Sequence, residues 1–462
     1  IIPMRYLSSL RLGILAVVVL LASCGSSENE VTAYYVRAVH ALADAPRIQM
    51  NVSELPLHSA VDYLKATRMG IPVSKGGTTD IATVELKAFT PAGETIIIDT
   101  IPDYVFSGNV EYTVVTAGTL ANPTSFITSN PRRTKPVIGG YLEFIHASVG
   151  LGTLDIFVTD PGVDLLGLTA YTTLAFGEAS GSLEITPGTY QVRATNSGTT
   201  DVLFDSGALD MSGDAERQMV LVDNAGNSSA VLQMIRTFGL DSVVSGDVTY
   251  GGRVRALNID VAEGPLDILA GPAQAPVALA LDYGSLGDFV ILDGGEVDFL
   301  VTPTGDISTP LLEMAATVEA GNDYTFVTGT SPDGMIGVLG TDDRRSVVTE
   351  ARLRAIHAIN TGEILNIYLS SEIPATMPPS YGDGIVRNLA YGSTSNLYAG
   401  DPGEYYLSIT TRPELAGGGE VNLVEPILVQ LNGGDNLSIL ISQASATEQA
   451  PYQVILIDET LN

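Results

Sequence analysis

One string of seven residues recurs four times along the chain, and no other feature restricts the fold as much. It reads Y-V-R-A-V-H-A at 35–41, Y-L-E-F-I-H-A at 141–147, R-V-R-A-L-N-I at 253–259 and R-L-R-A-I-H-A at 352–358. Apolar and polar residues alternate in each copy, the pattern of a strand with one face buried. Four further markers follow in a constant order. A second strand stands at 47–51 (R-I-Q-M-N), 154–158 (L-D-I-F-V), 266–270 (L-D-I-L-A) and 365–369 (L-N-I-Y-L). Next comes L-A-F-G at 174–177, L-D-Y-G at 281–284 and L-A-Y-G at 389–392, with no clear counterpart in the first copy. Turn-then-strand segments follow at 91–98 (P-A-G-E-T-I-I-I), 187–192, 294–300 and 402–407. A last strand opens on a polar turn at 107–115, 213–222, 320–328 and 433–441. Five ordered markers at a period of about 100 residues imply four tandem modules. We set them at 34–134, 135–243, 244–346 and 347–462, with junctions near 132–137, 242–247 and 341–346.

Each module reads as all-β. Short runs rich in Val, Ile, Thr and Tyr are cut by turn residues, and the 48 glycines and 24 prolines fall mostly between strand candidates. About seven strands in about 100 residues suit an immunoglobulin-like or related two-sheet β-sandwich. A repeat this long is too large for one propeller blade. One stretch, Leu57 to Arg68, reads as partly helical and is expected to be a surface insertion. The short junctions predict a stiff string of domains.

The amino terminus reads as an address. Met4 is the expected start, Arg5 and Arg11 form a positive region, and Leu12 to Leu21 is an apolar run of signal-peptide length. It ends in Leu21-Ala22-Ser23-Cys24, which resembles the lipobox of bacterial lipoproteins. There the thiol is diacylated and the chain is cut just before it, leaving residues 1–23 as signal peptide and 24–33 as a lipidated tether. Cys24 is the only cysteine in 462 residues, so no intramolecular disulfide and no Cys-rich metal site can form. The resemblance implies diacylglycerol and N-acyl lipid on Cys24 and hence a membrane partner. Gly25, where inner-membrane retention typically places Asp, favours the outer membrane of a bacterial cell envelope.

The repeats are similar to a second family. V-H-A-L-A-D-A-P at 39–46, the L-A-[FY]-G strings and P-G-x-Y at 187–190 and 402–405 resemble the domain-of-unknown-function family 4397. Its domains occur in secreted and lipid-anchored bacterial surface proteins, and no activity is established for it. The third copy departs most, with Asn258 in place of the histidine.

Charge narrows the functional classes. There are 53 acidic and 22 basic residues, for a net charge of −31, which becomes −33 once residues 1–23 are removed. Such a surface repels phosphate backbones, so nucleic acid is excluded as a partner. Three of four histidines share one repeat position: His40, His146 and His357, with Asn258 in the third copy. Asn replaces a neutral imidazole as donor and acceptor, but not as a base or zinc ligand, so we read the position as structural. His58 is isolated and expected to be exposed. There is no G-x-S-x-G elbow (Ser180 in G-E-A-S-G is displaced by one), no H-E-x-x-H, no Walker loop and no G-x-G-x-x-G opening a helix. We expect no catalytic residues, no metal site and no cofactor beyond the lipid. Acidic loops at 210–216, 223–227 and 331–334 offer oxygen ligands for loosely held calcium. Two classes remain: a lipid-anchored structural, adhesive or binding protein with a protein or glycan ligand, or an envelope enzyme or solute-binding component using a cleft between modules.

Overall fold

Alternating β-branched and aromatic residues, interrupted by Gly, Pro and Asp, build thirty-three strands and one short 3-10 turn at Tyr381–Asp383 among the described residues. The computed structural model describes residues 33–460 apart from 73–78, 134–138, 213–215, 225–231, 239–240, 332–333, 360–362, 376–378, 380, 413–419 and 444–451. The expected signal peptide, residues 1–23, and Cys24 lie outside the described residues.

The chain is nearly all β and forms separate two-sheet sandwiches in tandem. The third module shows the plan. Its strands run Gly252–Asn258, Leu266–Ala270, Ala275–Leu281, Val290–Leu292, Gly295–Pro303, Leu312–Val318, Asp323–Ser331 and Gly334–Asp342. The first strand pairs in parallel with the seventh, which pairs with the eighth, and the short fourth strand borders the first. We call this the inner sheet. The third, second, fifth and sixth strands form the outer sheet, and Val254, Ala256, Ile268, Phe299, Val301 and Phe326 fill the core between them. The same parallel pairing recurs for Tyr35–Leu42 with Val110–Thr119, Gly140–Ala147 with Glu216–Asp223, and Ala351–Ala358 with Asn436–Gln443.

The first strand departs from its sequence reading in one respect: both of its faces are buried. In module 4 every residue of Ala351–Ala358 is buried. Leu353 and Ala355 point into the module's own core, while Ile356 and Ala358 pack with Leu257, Ile259 and Val327 of module 3. Modules 1 and 2 meet in the same way, with Val39, Val115 and Ala117 against Ile145, Ala147, Val220 and Val222. The alternation that suggests a solvent-facing side marks a side facing a neighbouring module.

The modules therefore do not form a single-file string. They pair through their inner sheets, and the two pairs touch end to end. Val348 N–H donates to the Asp44 carbonyl at 3.1 Å, Ala92 N–H to Asp401 Oδ1 at 2.9 Å, and Arg345 Nη1 to the Ala43 carbonyl at 3.2 Å. The end of pair 1–2 that carries His40 and His146 thus abuts the end where the first strands of modules 3 and 4 begin. The strand Asp241–Ser245 pairs with Leu232–Phe238, so the sheet of module 2 continues past the expected boundary at 243.

Two readings in module 1 need correction. The stretch expected to be helical is the third strand of the plan, Leu55–Val61, followed by a turn. A bulge against Ile48–Val52 breaks its period of two, and this irregular spacing imitates a helix. Ala60, Ala280 and Asn388 adopt the same left-handed φ at the corresponding places, so the segment is a regular part of the repeat and no insertion. The string P-A-G-E-T-I-I-I is also out of register. It forms the turn between Thr79–Phe89 and Thr95–Ser107, which stand in the places of the plan's fifth and sixth strands, whereas its presumed counterparts open the fifth.

Candidate functional site: the repeated histidine position and the module junctions

The repeated histidine sits near the end of the first strand, on the side facing its own core, where the chain leaves to begin the second strand. Both ring nitrogens are engaged by the backbone of that connection. Nε2–H of His40 donates to the Pro46 carbonyl at 2.9 Å, that of His146 to Gly152 at 2.8 Å and that of His357 to Glu363 at 2.9 Å. Nδ1 accepts the amide two residues on: Leu42 at 3.2 Å, Ser148 at 3.3 Å and Ile359 at 3.1 Å. Asn258 does the same with its amide group. Its Oδ1 accepts from Asp260 N–H at 2.7 Å, and its Nδ2 donates to Leu281 at 2.7 Å and Gly264 at 3.4 Å. Burial drives the titration of His40 and His357 down to about 4 and lowers that of His146. The ring is therefore neutral near pH 7, and each copy closes a loop of its own module. The structure does not bring the four positions together. Among the described residues no group of three or more His, Cys, Asp or Glu is placed to hold a metal ion.

The L-A-[FY]-G marker completes this unit. Gly177, Gly284 and Gly392 have left-handed φ of 82°, 72° and 73°, and each N–H donates to the carbonyl of the repeat residue, His146, Asn258 or His357. The preceding aromatic lies edge-on to the ring, at 6.2 Å for Phe176 and 6.1 Å for Tyr391. Module 1 has the same turn in different residues, Val61-Asp62-Tyr63-Leu64. Leu64 takes the glycine's place at φ 56°, its N–H donates to the His40 carbonyl at 2.8 Å, and Tyr63 stands at 6.0 Å from the His40 ring.

The remaining candidates are mostly structural. His58 is half-buried, contrary to the expected exposure, because its Nε2 donates to the Val36 carbonyl at 2.9 Å. Ser180 accepts the Phe144 amide and donates to the Gly181 carbonyl, so it ties a turn. In the acidic loops, Asp210 accepts Ser212 N–H and Asp223 accepts the amides of Val149 and Gly150. Residues 213–215, 225–227 and 332–333 of those loops lie outside the described residues.

The charged residue three places before each repeat histidine was missed as a functional position. Arg37, Glu143, Arg255 and Arg354 all face the partner module. Between modules 3 and 4, Arg354 donates to Asp342 at 2.6 Å and to Glu459 at 2.8 Å, while Arg255 reaches Glu459 at 2.9 Å and Asp342 at 3.5 Å. Thr325 and Ser438 accept the two Nε–H groups. Two cations and two carboxylates thus form a neutral buried square. Burial pushes the Glu459 carboxyl up, but the two guanidinium groups outweigh it and hold it below the ordinary range. Between modules 1 and 2 the counterpart is built on amides. Gln218 donates to Glu143 at 2.7 Å and contacts Thr113, and Asn130 donates to Glu143 as well. The available signal was a charged residue recurring at one fixed position of the repeated strand.

Where the two pairs meet, Arg345 and Arg352 clamp Asp343, whose carboxyl they hold far below the usual range against the upward push of burial. Arg253, Arg255 and Arg344 surround the Phe289 ring, with guanidinium carbons 4.6–5.1 Å from its centre. A cavity of about 440 Å³ here is lined from all four modules, by Tyr63, Lys65, Asn224, Asp323, Arg344 and Arg352 among others. A wider groove of about 820 Å³ runs between modules 1 and 4, past Arg47, Gln49, Tyr63, Glu350, Arg352 and Tyr398.

No family model matches the chain, and no curated protein matches it. Among solved structures it is similar to the Bacillus anthracis TIE protein at 10 % identity and a TM-score of 0.16. That match covers 86 % of this chain and 65 % of that one, so this chain spans less than two thirds of its length. At such a score the likeness carries no inference.

Proposed function

We propose that the protein is a lipid-anchored component of a bacterial cell envelope, with a structural, adhesive or binding role and no catalysis. One observation supports it above the others: among the described residues, the repeat histidines and the charged residues of the first strands are spent on architecture. The repeat histidines are buried and neutral with both nitrogens bonded to backbone, and the buried Glu143, Arg255 and Arg354 are tied into contacts between modules. What such a body offers a partner is surface. The anchor rests on the Leu-Ala-Ser-Cys string at 21–24, and the resemblance of the repeats to a family of secreted and lipid-anchored surface proteins points the same way. Replacing Cys24 with Ala and fractionating the cells tests it. Release from the membrane fraction is expected, and unchanged membrane association would refute the anchor.

The groove between modules 1 and 4 favours a second reading, a solute-binding component. Its lining mixes two tyrosines with cations and carboxylates, a composition suited to polar solutes such as sugars. A glycan panel applied to the intact protein and to Arg47→Ala separates the two. Binding lost on that substitution selects the groove, and binding that survives it places the ligand on an outer surface.

A further inference from the structure

We propose that the end of module 1 from which the tether emerges is a lipid-docking face, resting on the bilayer that holds the acyl chains of Cys24. The inference builds on the anchoring reading above. Four features meet at this end. The chain enters the fold at Ala33, whose carbonyl accepts Asn109 N–H at 2.8 Å, and Tyr34 follows, stacked on Phe106 with its hydroxyl on Asp80. The strands Thr79–Phe89 and Thr95–Ser107 overhang their sheet here, since Ile48–Val52 reaches only as far as Val84. On this overhang Ile81 and Val105 are direct cross-strand partners, 61 % and 54 % exposed. Ile71, 58 % exposed, follows Gly70, which bridges Val36 at the same end of the inner sheet, and Leu55, 55 % exposed, begins the neighbouring edge strand.

Chain length selects the occupant. Nine steps along the chain lead from Cys24 to Ala33, and at about 3.3–3.6 Å each they reach no more than about 32 Å. A lipid on Cys24 therefore keeps this end within about 32 Å of the membrane. Modules 3 and 4 cannot cover it, because they contact module 1 through Ala43, Asp44, Tyr63 and Ala92, at the far end of its strands. Charge agrees. The exposed Arg68, Arg132 and Arg133 stand here among Glu54, Asp80, Asp103, Glu111 and Glu216. This end is thus richer in cations than the chain as a whole, with its 22 basic and 53 acidic residues, and an anionic leaflet repels it less than the rest of the surface. Apolar side chains flanked by arginines are the composition of interfacial contact.

The test uses the full acylated chain in vesicles of phosphatidylethanolamine and phosphatidylglycerol with a spin-labelled acyl-chain quencher. Acylation consumes Cys24, so a single introduced thiol carries the fluorophore, either Thr79→Cys at the tether end or Ala262→Cys in a loop of module 3. The expected result is a blue shift and loss of emission at residue 79 but not at 262, reversed by Ile81→Ser with Val105→Ser while the protein still floats with the vesicles. Both of those residues are exposed, so the core is untouched. Equal quenching at the two probes, or quenching indifferent to the double substitution, would overturn docking alone. A mass showing no acyl group on Cys24 would overturn the anchoring reading and docking with it.

Discussion

Replacing His357 separates a loop-bridging imidazole from one that does chemistry. In the fold its Nδ1 must accept the Ile359 amide, so protonation would break that bond as well as charge a buried ring. Burial brings its titration down to about 4 in the fold, against an ordinary value of 6.5. At 1.36 kcal/mol per unit the difference is about 3 kcal/mol. The sign follows from proton counts. Between pH 6.5 and 4 the unfolded state holds a proton that the folded state lacks, so stability falls as pH drops through that window and levels off below 4. His40 behaves alike, since burial depresses it to about 4 too. Asn258 shows which replacement suffices. His357→Asn should cost less than about 1 kcal/mol at pH 7.5 and remove the acid-labile share of module 4. His357→Ala strands the Glu363 carbonyl and the Ile359 amide, at about 1–3 kcal/mol each. Four packed modules need not unfold in one step, so the readout is hydrogen exchange of amides in Ala351–Ala358, corrected for intrinsic rates, from pH 4 to 7.5. If His357→Asn kept the full acid slope, or cost as much as His357→Ala at pH 7.5, the bridging argument would fail.

Two further substitutions probe the turn and the interface. Gly284→Ala places a Cβ in open space at φ 72°, so its cost isolates the left-handed backbone and should be about 1–2 kcal/mol by thermal denaturation; a neutral result would mean the turn relaxes freely. Arg354→Ala leaves Asp342 and Glu459 buried beside one guanidinium, and should cost about 3–5 kcal/mol, read as faster exchange on both Asn436–Gln443 and Asp323–Ser331. Exchange confined to module 4 would show that the charge square does not join the two modules.

The parts legible in the sequence are those that depend on local chemistry. Strand alternation, turn glycines and a recurring Val-His-Ala or Ile-His-Ala are visible as strings, and Asn258 in one copy is enough to argue against a metal or a base. Module 1 was harder because it preserves conformation while changing residues. Leu64 stands in a left-handed turn where three other copies use glycine, so the motif search misses it although the hydrogen bond to His40 is intact. The bulge at Ala60 shifts side-chain parity and disguises a strand as a helix. Pairing between modules was invisible for a different reason. Alternation reports that one face of a strand differs from the other, and says nothing about whether the second face meets water or another module.

That ambiguity has a physical consequence for the number of repeats. Leu257, Ile259, Val327, Ile356 and Leu440 are all buried at the contact between modules 3 and 4. At about 1.5–3 kcal/mol for each large apolar side chain, their burial contributes on the order of 10 kcal/mol to pairing. A lone module would expose its half of that surface, and would also leave Arg354 or Arg255 facing only one of its two carboxylates. The unit that satisfies both the apolar face and the charge is a pair. Four copies thus close two complete pairs, and an odd copy would leave an inner sheet uncovered. The stable building block of this chain is two hundred residues long, not one hundred, although the sequence repeats at the shorter period.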